Sequence, residues 1–401
     1  MDTFDRESGR DLPSLPGRAA QPIPQRRTAA MKVAMICDVM GQPNNGTTLA
    51  ALNLIRYLRD AGHTVTVVAP GGEASDGYLP VRVWHAGPLI DRILRMNGVE
   101  LAVPDKQLLE AVIREADVVH LLIPLPLARA ALKIARRLGK PVTASFHCQA
   151  ENITAHLGMM NAGWLNRLIY RNFYRKVYRW CTAVHYPTEF IREVFETATH
   201  PTPAHVISNG VNDMFRLPDS RPENGKFTVV CSGRYSREKA QQQLLRAAAL
   251  CRHRDDIRLI LAGDGPRRKR YLRLAKQYGL DCQFAFFPRQ ELLHILQTAD
   301  LYVHTAIIEI EAIACTEAIC CGLVPVICNS DRSATRFFAC GDHTLFEPGD
   351  VRALADLLDY WYEHPAARVE RAAEYADLRH SFDQTACMQQ MEQMLKEAAG
   401  L

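Results

Sequence analysis

Residues Glu309 to Ile327 read EIEAIACTEAICCGLVPVI, with two carboxylates, Glu309 and Glu317, eight positions apart among small and apolar residues. Gly322, Pro325 and the Val/Ile run that follows read as a turn and a buried parallel strand, so the stretch predicts loop, helix and strand in succession. A helix opening near Glu309 would turn its free N–H groups, that of Ile310 among them, toward whatever lies above the sheet, and could hold an anion such as a diphosphate. Glu317 follows about two turns later at 3.6 residues per turn. Beside Ala318 and Ile319 it is expected to be buried, where a carboxylate needs hydrogen-bond donors that sugar hydroxyls can supply. An ordinary amphipathic helix with solvated acids also fits Glu309 and Glu311, but not Glu317.

Three further segments carry chemistry-bearing residues. FTVVCSGRYSREK, Phe227 to Lys239, is a strand running into Gly233, then Arg234 and Lys239. Two cations beyond the carboxyl end of a strand suit the neutralisation of a departing diphosphate, although charged residues most often lie on surfaces. RLILAGDGP, Arg258 to Pro266, is a strand ending on Gly263 and Gly265, which would let backbone approach a nucleotide. PVTASFH, Pro141 to His147, ends a strand on a histidine, at the edge where open α/β sheets place ligands; a core histidine satisfied by backbone is the plain alternative.

Positioning these residues takes two α/β units. A chain of 401 residues, 48% hydrophobic, can build two complete cores. MKVAMICDV, a turn at Asn44, Asn45 and Gly46, an amphipathic helix and a strand from Val65 to Val68 form a βαβ opening of doubly wound type. Strands are also expected within 116–122 and 282–289. HVISNG, His205 to Gly210, leads into a Pro- and Gly-containing linker, which divides the chain into 31–207 and 208–380, with a final helix from about Phe382 (381–401) crossing back to the first unit. Residues 1–30, rich in Pro, Arg, Ser and Gly, are expected to be a disordered extension. Twelve scattered cysteines without CxxC pairs read as free thiols in a reducing cytoplasm.

Net charge is +1 for 1–30, +5 for 31–207 and −2 for 208–401, so the first unit is suited to an anionic surface. Nucleic acid is not expected, since no recognisable nucleic-acid-binding module accompanies the charge. GWLNRLIYRNFYRKVYRW, Gly163 to Trp180, repeats Arg167, Arg171, Arg175 and Arg179 every fourth residue. Leu165, Leu168, Ile169, Phe173 and Val177 form its apolar face. The pattern suits a helix at a membrane interface with Trp164 at headgroup depth, and equally a domain helix with solvated arginines. Pro88 to Met96 is a shorter candidate of the same kind. No apolar run approaches a membrane span.

The paired glutamates with AICCGLVPVI resemble the donor-site signature of the retaining glycosyltransferases of GT-B fold. NS..SAT..FA, matched by Asn329, Ser330, Ser333, Ala334, Thr335, Phe338 and Ala339, resembles their bacterial diacylglycerol glucosyltransferase branch, and the likeness runs from about Met31 onward. This resemblance implies two Rossmann-like domains facing across a cleft, and transfer of a hexose, glucose first, from a UDP-sugar to diacylglycerol at the cytoplasmic face of the membrane. It places His147 at the reacting centre, Glu309 on the sugar hydroxyls and Glu317 on the ribose. Arg234 and Lys239 fall on the diphosphate. Gly46, Gly233, Gly265 and the N–H of Ile310 line the donor site, and Gln149 to Thr154, with Asn152, the acceptor mouth. The usual base-side glycine is Pro288 here. No Asp-x-Asp motif or metal spacing is present, so neither metal nor cofactor is expected. Other lipid or soluble glycan acceptors, and a binding protein without turnover, are the alternatives.

Overall fold

The structure is a computed structural model and describes residues 30–38, 46–71, 73–75, 77–85, 87, 101–156, 159–221 and 225–401. The extension before residue 30, Asn44, Asn45 and the segment 88–96 lie outside the described residues.

Two wholly parallel sheets organise the chain. The first holds β1 (Lys32–Ile36), β2 (Thr64–Pro70), β3 (Tyr78–Val81), β4 (Val118–Leu121), β5 (Val142–Ser145), β6 (Ala183–Tyr186) and β7 (Ala204–Val206), in the order β3-β2-β1-β4-β5-β6-β7. The second holds β8 (Phe227–Ser232), β9 (Ile257–Ala262), β10 (Cys282–Ala285), β11 (Leu301–His304), β12 (Pro325–Cys328) and β13 (Leu345–Phe346), in the order β10-β9-β8-β11-β12-β13. Six helices bear on the site: α1 (Gly46–Asp60), α2 (Ala150–His156), α3 (Gly163–Lys176), α4 (Glu189–Ala198), α5 (Ile313–Cys320) and α6 (Gln384–Ala399).

Central strands are apolar throughout because helices cover both faces of each sheet. In β1 the side chains alternate between layers: Val33 and Met35 pack with Leu54 and Met391, whereas Ala34 and Ile36 join the core around Leu109 and Phe146. The described cysteines are all free thiols, most of them buried.

The last helix belongs to the first sheet. Met388, Met391, Met394 and Leu395 of α6 pack against Val33, Met35, Val67 and Leu58. Glu392 fastens that helix, accepting from Tyr57 Oη at 2.9 Å and from His63 Nε2 at 2.9 Å, and pairing with Lys396. His63 Nδ1 accepts the Met31 N–H at 3.0 Å, so the ring's proton sits on Nε2 and faces the carboxylate. The two passages between sheets run side by side, with Val211 N–H donating to Phe382 O at 2.7 Å. Gly210, at φ 71°, allows this: a Cβ there would sit 2.7 Å from Gln384 Cα.

Candidate active site at the switch point of the second sheet

In the second sheet the strand order reverses between β8 and β11, and a ligand crevice is expected beyond the carboxyl ends of those strands. Loops 233–240 and 305–312 meet there. They are held to each other by Thr305 Oγ1 donating to Lys239 O at 2.7 Å and Ile307 N–H donating to Glu238 O at 2.8 Å. Lys239 Nζ pairs with Glu309 Oε2 inside this junction, and His304 Nε2 stands 3.6 Å from the same oxygen. Arg234 pairs with Glu238 at 2.9 Å. Burial alone would raise the Glu309 carboxyl, but Lys239 and His304 outweigh it and hold it down at about 2. Burial keeps His304 below the usual imidazole range, opposed by Glu309. Ala240 (φ 51°) and Ala312 (φ 66°), both left-handed without being glycine, follow each partner of the pair closely. Such conformations cost on the order of 1–3 kcal/mol and persist where surrounding contacts impose them.

The glycines nearby serve this packing. A Cβ on Gly263 would fall 2.1 Å from Gly233 O, and one on Gly265 would fall 2.6 Å from Tyr235 O. The close approach expected of them toward a nucleotide is thus, in this structure, an approach between two loops of the same unit.

Two expectations need correction. The helix starts at Ile313, with Ala312 as its cap, rather than near Glu309. Glu309 instead lies in extended chain bridged to Ser333, its N–H donating to Arg332 O at 3.2 Å. Ile310 is therefore not at a helix end: its side chain packs against the first core, and its carbonyl accepts from Thr188 Oγ1 at 2.8 Å. Glu311, which the alternative of a helix with solvated acids also fitted, is buried; it accepts from Ser208 Oγ at 2.5 Å, from Asn209 N–H at 3.0 Å and from Asn209 Nδ2. Glu317 is buried, as its neighbours implied, and accepts from Arg289 at 2.8 Å. Burial raises the Glu317 carboxyl, opposed by Arg289.

Glu311 makes the passage between sheets sensitive to pH. Burial pushes its carboxyl up to about 7 against the donors on Ser208 and Asn209. With the folded value above the unfolded one, the folded protein binds more protons between those two values. Stability from this group is complete below the ordinary carboxylate value and lost as pH rises through about 7. We expect thermal midpoints measured from pH 5 to 8 to fall for the parent protein, and the fall to be smaller for Glu311→Gln. Parallel profiles would show that Glu311 does not titrate in this range.

The first unit contributes its own switch-point edge. His147, half-buried, lies just past β5, its ring 5.7 Å from that of His185. Burial lowers its pKa well below the ordinary histidine value. Beneath it runs a buried chain that sequence reading missed. His120 Nδ1 meets Thr143 Oγ1 at 2.9 Å, His120 Nε2 meets Ser145 Oγ at 3.0 Å, Ser145 Oγ meets His185 Nδ1 at 2.9 Å, and His185 Nε2 meets Ile207 O at 2.7 Å. Only the imidazole can donate to that carbonyl. Burial holds His120 at about 3 and His185 at about 4, so both rings are neutral and every proton in the chain points toward Ile207. The signal was available: His120, Thr143, Ser145 and His185 occupy apolar strands where polar residues need partners.

The two edges touch. Gln149 Nε2 donates to Arg332 O at 3.1 Å, Arg332 donates to Asn161 Oδ1 at 2.6 Å, and the rings of Phe190 and Phe337 lie 5.9 Å apart. Gly46, at the start of α1, is near Ile313: a Cβ there would be 3.8 Å from Ile313 Cδ1. Gly46, Gln149, Glu309 and Ile310 therefore lie where the two units meet, with Lys239 paired to Glu309, whereas His147 lines a small pocket of the first unit with Ala50, Leu54 and His185. Asn152 is half-buried on α2. The residues expected to meet a membrane lie elsewhere, on α3. Trp164 is 69% exposed and Leu168 57% exposed, with Arg167, Arg171 and Arg175 also exposed. Of the apolar face read on this helix, Leu168 is exposed, one turn from Trp164, while Phe173 is buried. Among the described residues, no helix is long and apolar enough to cross a membrane, and no cluster of His, Cys, Asp and Glu could hold a metal ion.

Residues 215–379 match the family described as glycosyl transferases group 1, and residues 44–214 match glycosyltransferase family 4. The GDP-mannose-dependent alpha-mannosyltransferase of Mycolicibacterium smegmatis is 28% identical over 59% of this chain and 64% of its own length, just under two thirds. That of Corynebacterium glutamicum is 27% identical over 88% of this chain and 82% of its own length. Alpha-monoglucosyldiacylglycerol synthase of Streptococcus pneumoniae is 24% identical over 54% of this chain and 52% of its own length. Among solved structures, Anabaena HepE in complex with UDP and glucose superposes with a TM-score of 0.69 at 18% identity, covering 92% of this chain and all of that one. The arrangement of two Rossmann-like units is the GT-B fold.

Proposed function

We propose that this chain, whose residues 215–379 match glycosyl transferases group 1 and residues 44–214 glycosyltransferase family 4, is a retaining hexosyltransferase. In this reading it moves glucose from a UDP-sugar to diacylglycerol at the inner face of the cell membrane. The observation that carries the transfer reading is the Lys239–Glu309 pair at the second sheet's switch point, between the two loops of which one also carries Arg234. Here cations can stabilise a leaving diphosphate while a carboxylate held ionised grips the sugar.

In the proposed step the bond from the anomeric carbon to the diphosphate oxygen breaks and one to the acceptor oxygen forms on the same face. The acceptor's proton passes to the departing phosphate, since no separate base is evident. Arg234 and Lys239 take up the developing charge, Glu309 orients the sugar hydroxyls, and His147, kept neutral by burial, lines the reacting face. Gly46, Gly233, Gly265 and Ile310 bound the donor, and Glu317 is assigned to the ribose, reached when Arg289 shares or yields its carboxylate. Neither metal nor cofactor is assigned to the step, and turnover is expected to survive a chelator.

A GDP-mannose donor is the second reading, favoured by the likeness to mannosyltransferases. Nucleotide release from UDP-glucose, UDP-galactose and GDP-mannose, each with and without diacylglycerol in mixed micelles, separates the readings. Release from UDP-glucose only with the lipid supports the first; release from GDP-mannose alone replaces the donor. Lipid-independent release with a soluble glycan replaces the acceptor, and no release from any donor leaves a binding protein.

Support for the membrane surface comes from the exposed Trp164, Leu168, Arg167, Arg171 and Arg175 of α3. Each basic side chain near an anionic bilayer adds on the order of 1 kcal/mol. Arg171→Glu with Arg175→Glu should therefore lower partitioning onto anionic vesicles at least tenfold. Unchanged sedimentation would leave α3 a purely structural helix.

A further inference from the structure

We infer that Gln149 is a specificity residue whose side-chain oxygen receives a hydroxyl of the donor hexose. This inference rests on the hexosyl-transfer reading above and adds a group to that site.

Gln149 is 1% exposed, two residues beyond His147 and just ahead of α2. Its amide nitrogen donates across the cleft to Arg332 O at 3.1 Å. A carbonyl can only accept, so the orientation of the amide is fixed: nitrogen toward Arg332, oxygen turned away from it. That oxygen, Oε1, is buried and has no partner. Leaving such a group unmet costs about 1–3 kcal/mol, and buried polar atoms of this kind call for an explanation in ligand or function.

Its position supplies the explanation. The carbonyl that Gln149 grips also accepts the Glu309 N–H, so the Gln149 side chain and the Glu309 backbone are anchored on one peptide group. Glu309 comes from the second unit and Gln149 from the first, so the unmet oxygen belongs to an amide held where the two units meet, beside the Glu309 backbone, and a hydroxyl donor would match it. An apolar ligand would leave it unmet, and a phosphate, having only acceptor oxygens when ionised, would repel it. The ligand class is a polyol ring with a hydroxyl within reach of both loops.

Calorimetry on the full chain tests this, with UDP, UDP-glucose and its monodeoxy analogues, and with GDP and GDP-mannose in parallel. Gln149→Met, which keeps the length and removes both polar atoms, should leave bare nucleotide affinity within about twofold. It should weaken the sugar nucleotide by about 5- to 100-fold. The penalty should vanish for the one monodeoxy donor that lacks the contacted hydroxyl, as a double-mutant cycle requires of a direct contact. Gln149→Asn, which retains the amide but draws its oxygen back by one methylene, serves if the methionine variant does not fold. An equal penalty for every donor would mean that Gln149 acts only through Arg332 and would overturn the inference, as would no penalty. Parent protein that binds neither nucleotide would remove the transfer reading and the inference together, whereas normal donor binding by both parent and variant removes the inference alone.

Discussion

Glu309→Gln should lower kcat/KM by at least about a hundredfold while the thermal midpoint stays within a few degrees of the parent. Charge is what this substitution removes, since shape and most hydrogen-bonding capacity persist. Lys239 and His304 hold the carboxyl at about 2, so the parent presents an ionised acceptor across the whole assay range. A carboxylate accepts from sugar hydroxyls roughly twice as strongly as a neutral amide does, and it also fixes the Lys239 ammonium in place. Losing one preorganised charged contact at a reacting centre costs about 10²–10³ in rate. Undiminished turnover with a folded variant would remove Glu309 from the site.

Lys239→Met should be at least as costly, and differently so. It removes a cation from the leaving-group side and leaves the half-buried Glu309 without its strongest partner. Deleting one member of a fully buried pair costs about 3–5 kcal/mol; with both members half-buried the cost is smaller, and a midpoint lower by a few degrees is expected with the loss of turnover. The sign of the pH effect follows from the same contact. The ammonium holds the Glu309 pKa down, so its removal lets burial push that value up, and protonation then sets in as pH falls. Residual kcat/KM of the variant should decline toward acid pH where the parent stays flat. A variant with the parent's profile, or with parent rates, would show that the pair is structural.

The sheets were legible because parallel strands buried on both faces are written as unbroken apolar runs, as at Val33 to Ile36 and Val324 to Ile327. Loop geometry was less so. The start of α5 was placed four residues early because Ala312, an ordinary helix former, takes a left-handed conformation that nothing in its letter announces. Burial of Glu311 was invisible for another reason: its partners Ser208 and Asn209 lie about a hundred positions away and meet it only through the passage between sheets. Arg289, which meets Glu317, is hidden in the same manner. Leu168 illustrates a limit of periodicity. An α3 stripe four residues apart identifies a face, yet a helix carrying two partly apolar faces does not say which one turns inward.

Methionines 388, 391 and 394 complete the core that β1 begins, so the first unit closes only once a helix on the far side of the second unit's sequence has been made. Until then the faces of Val33, Met35 and Leu58 lack that cover, whereas the second unit's core is drawn from its own stretch of sequence. Loss of α6 would consequently be felt first at β1 and α1.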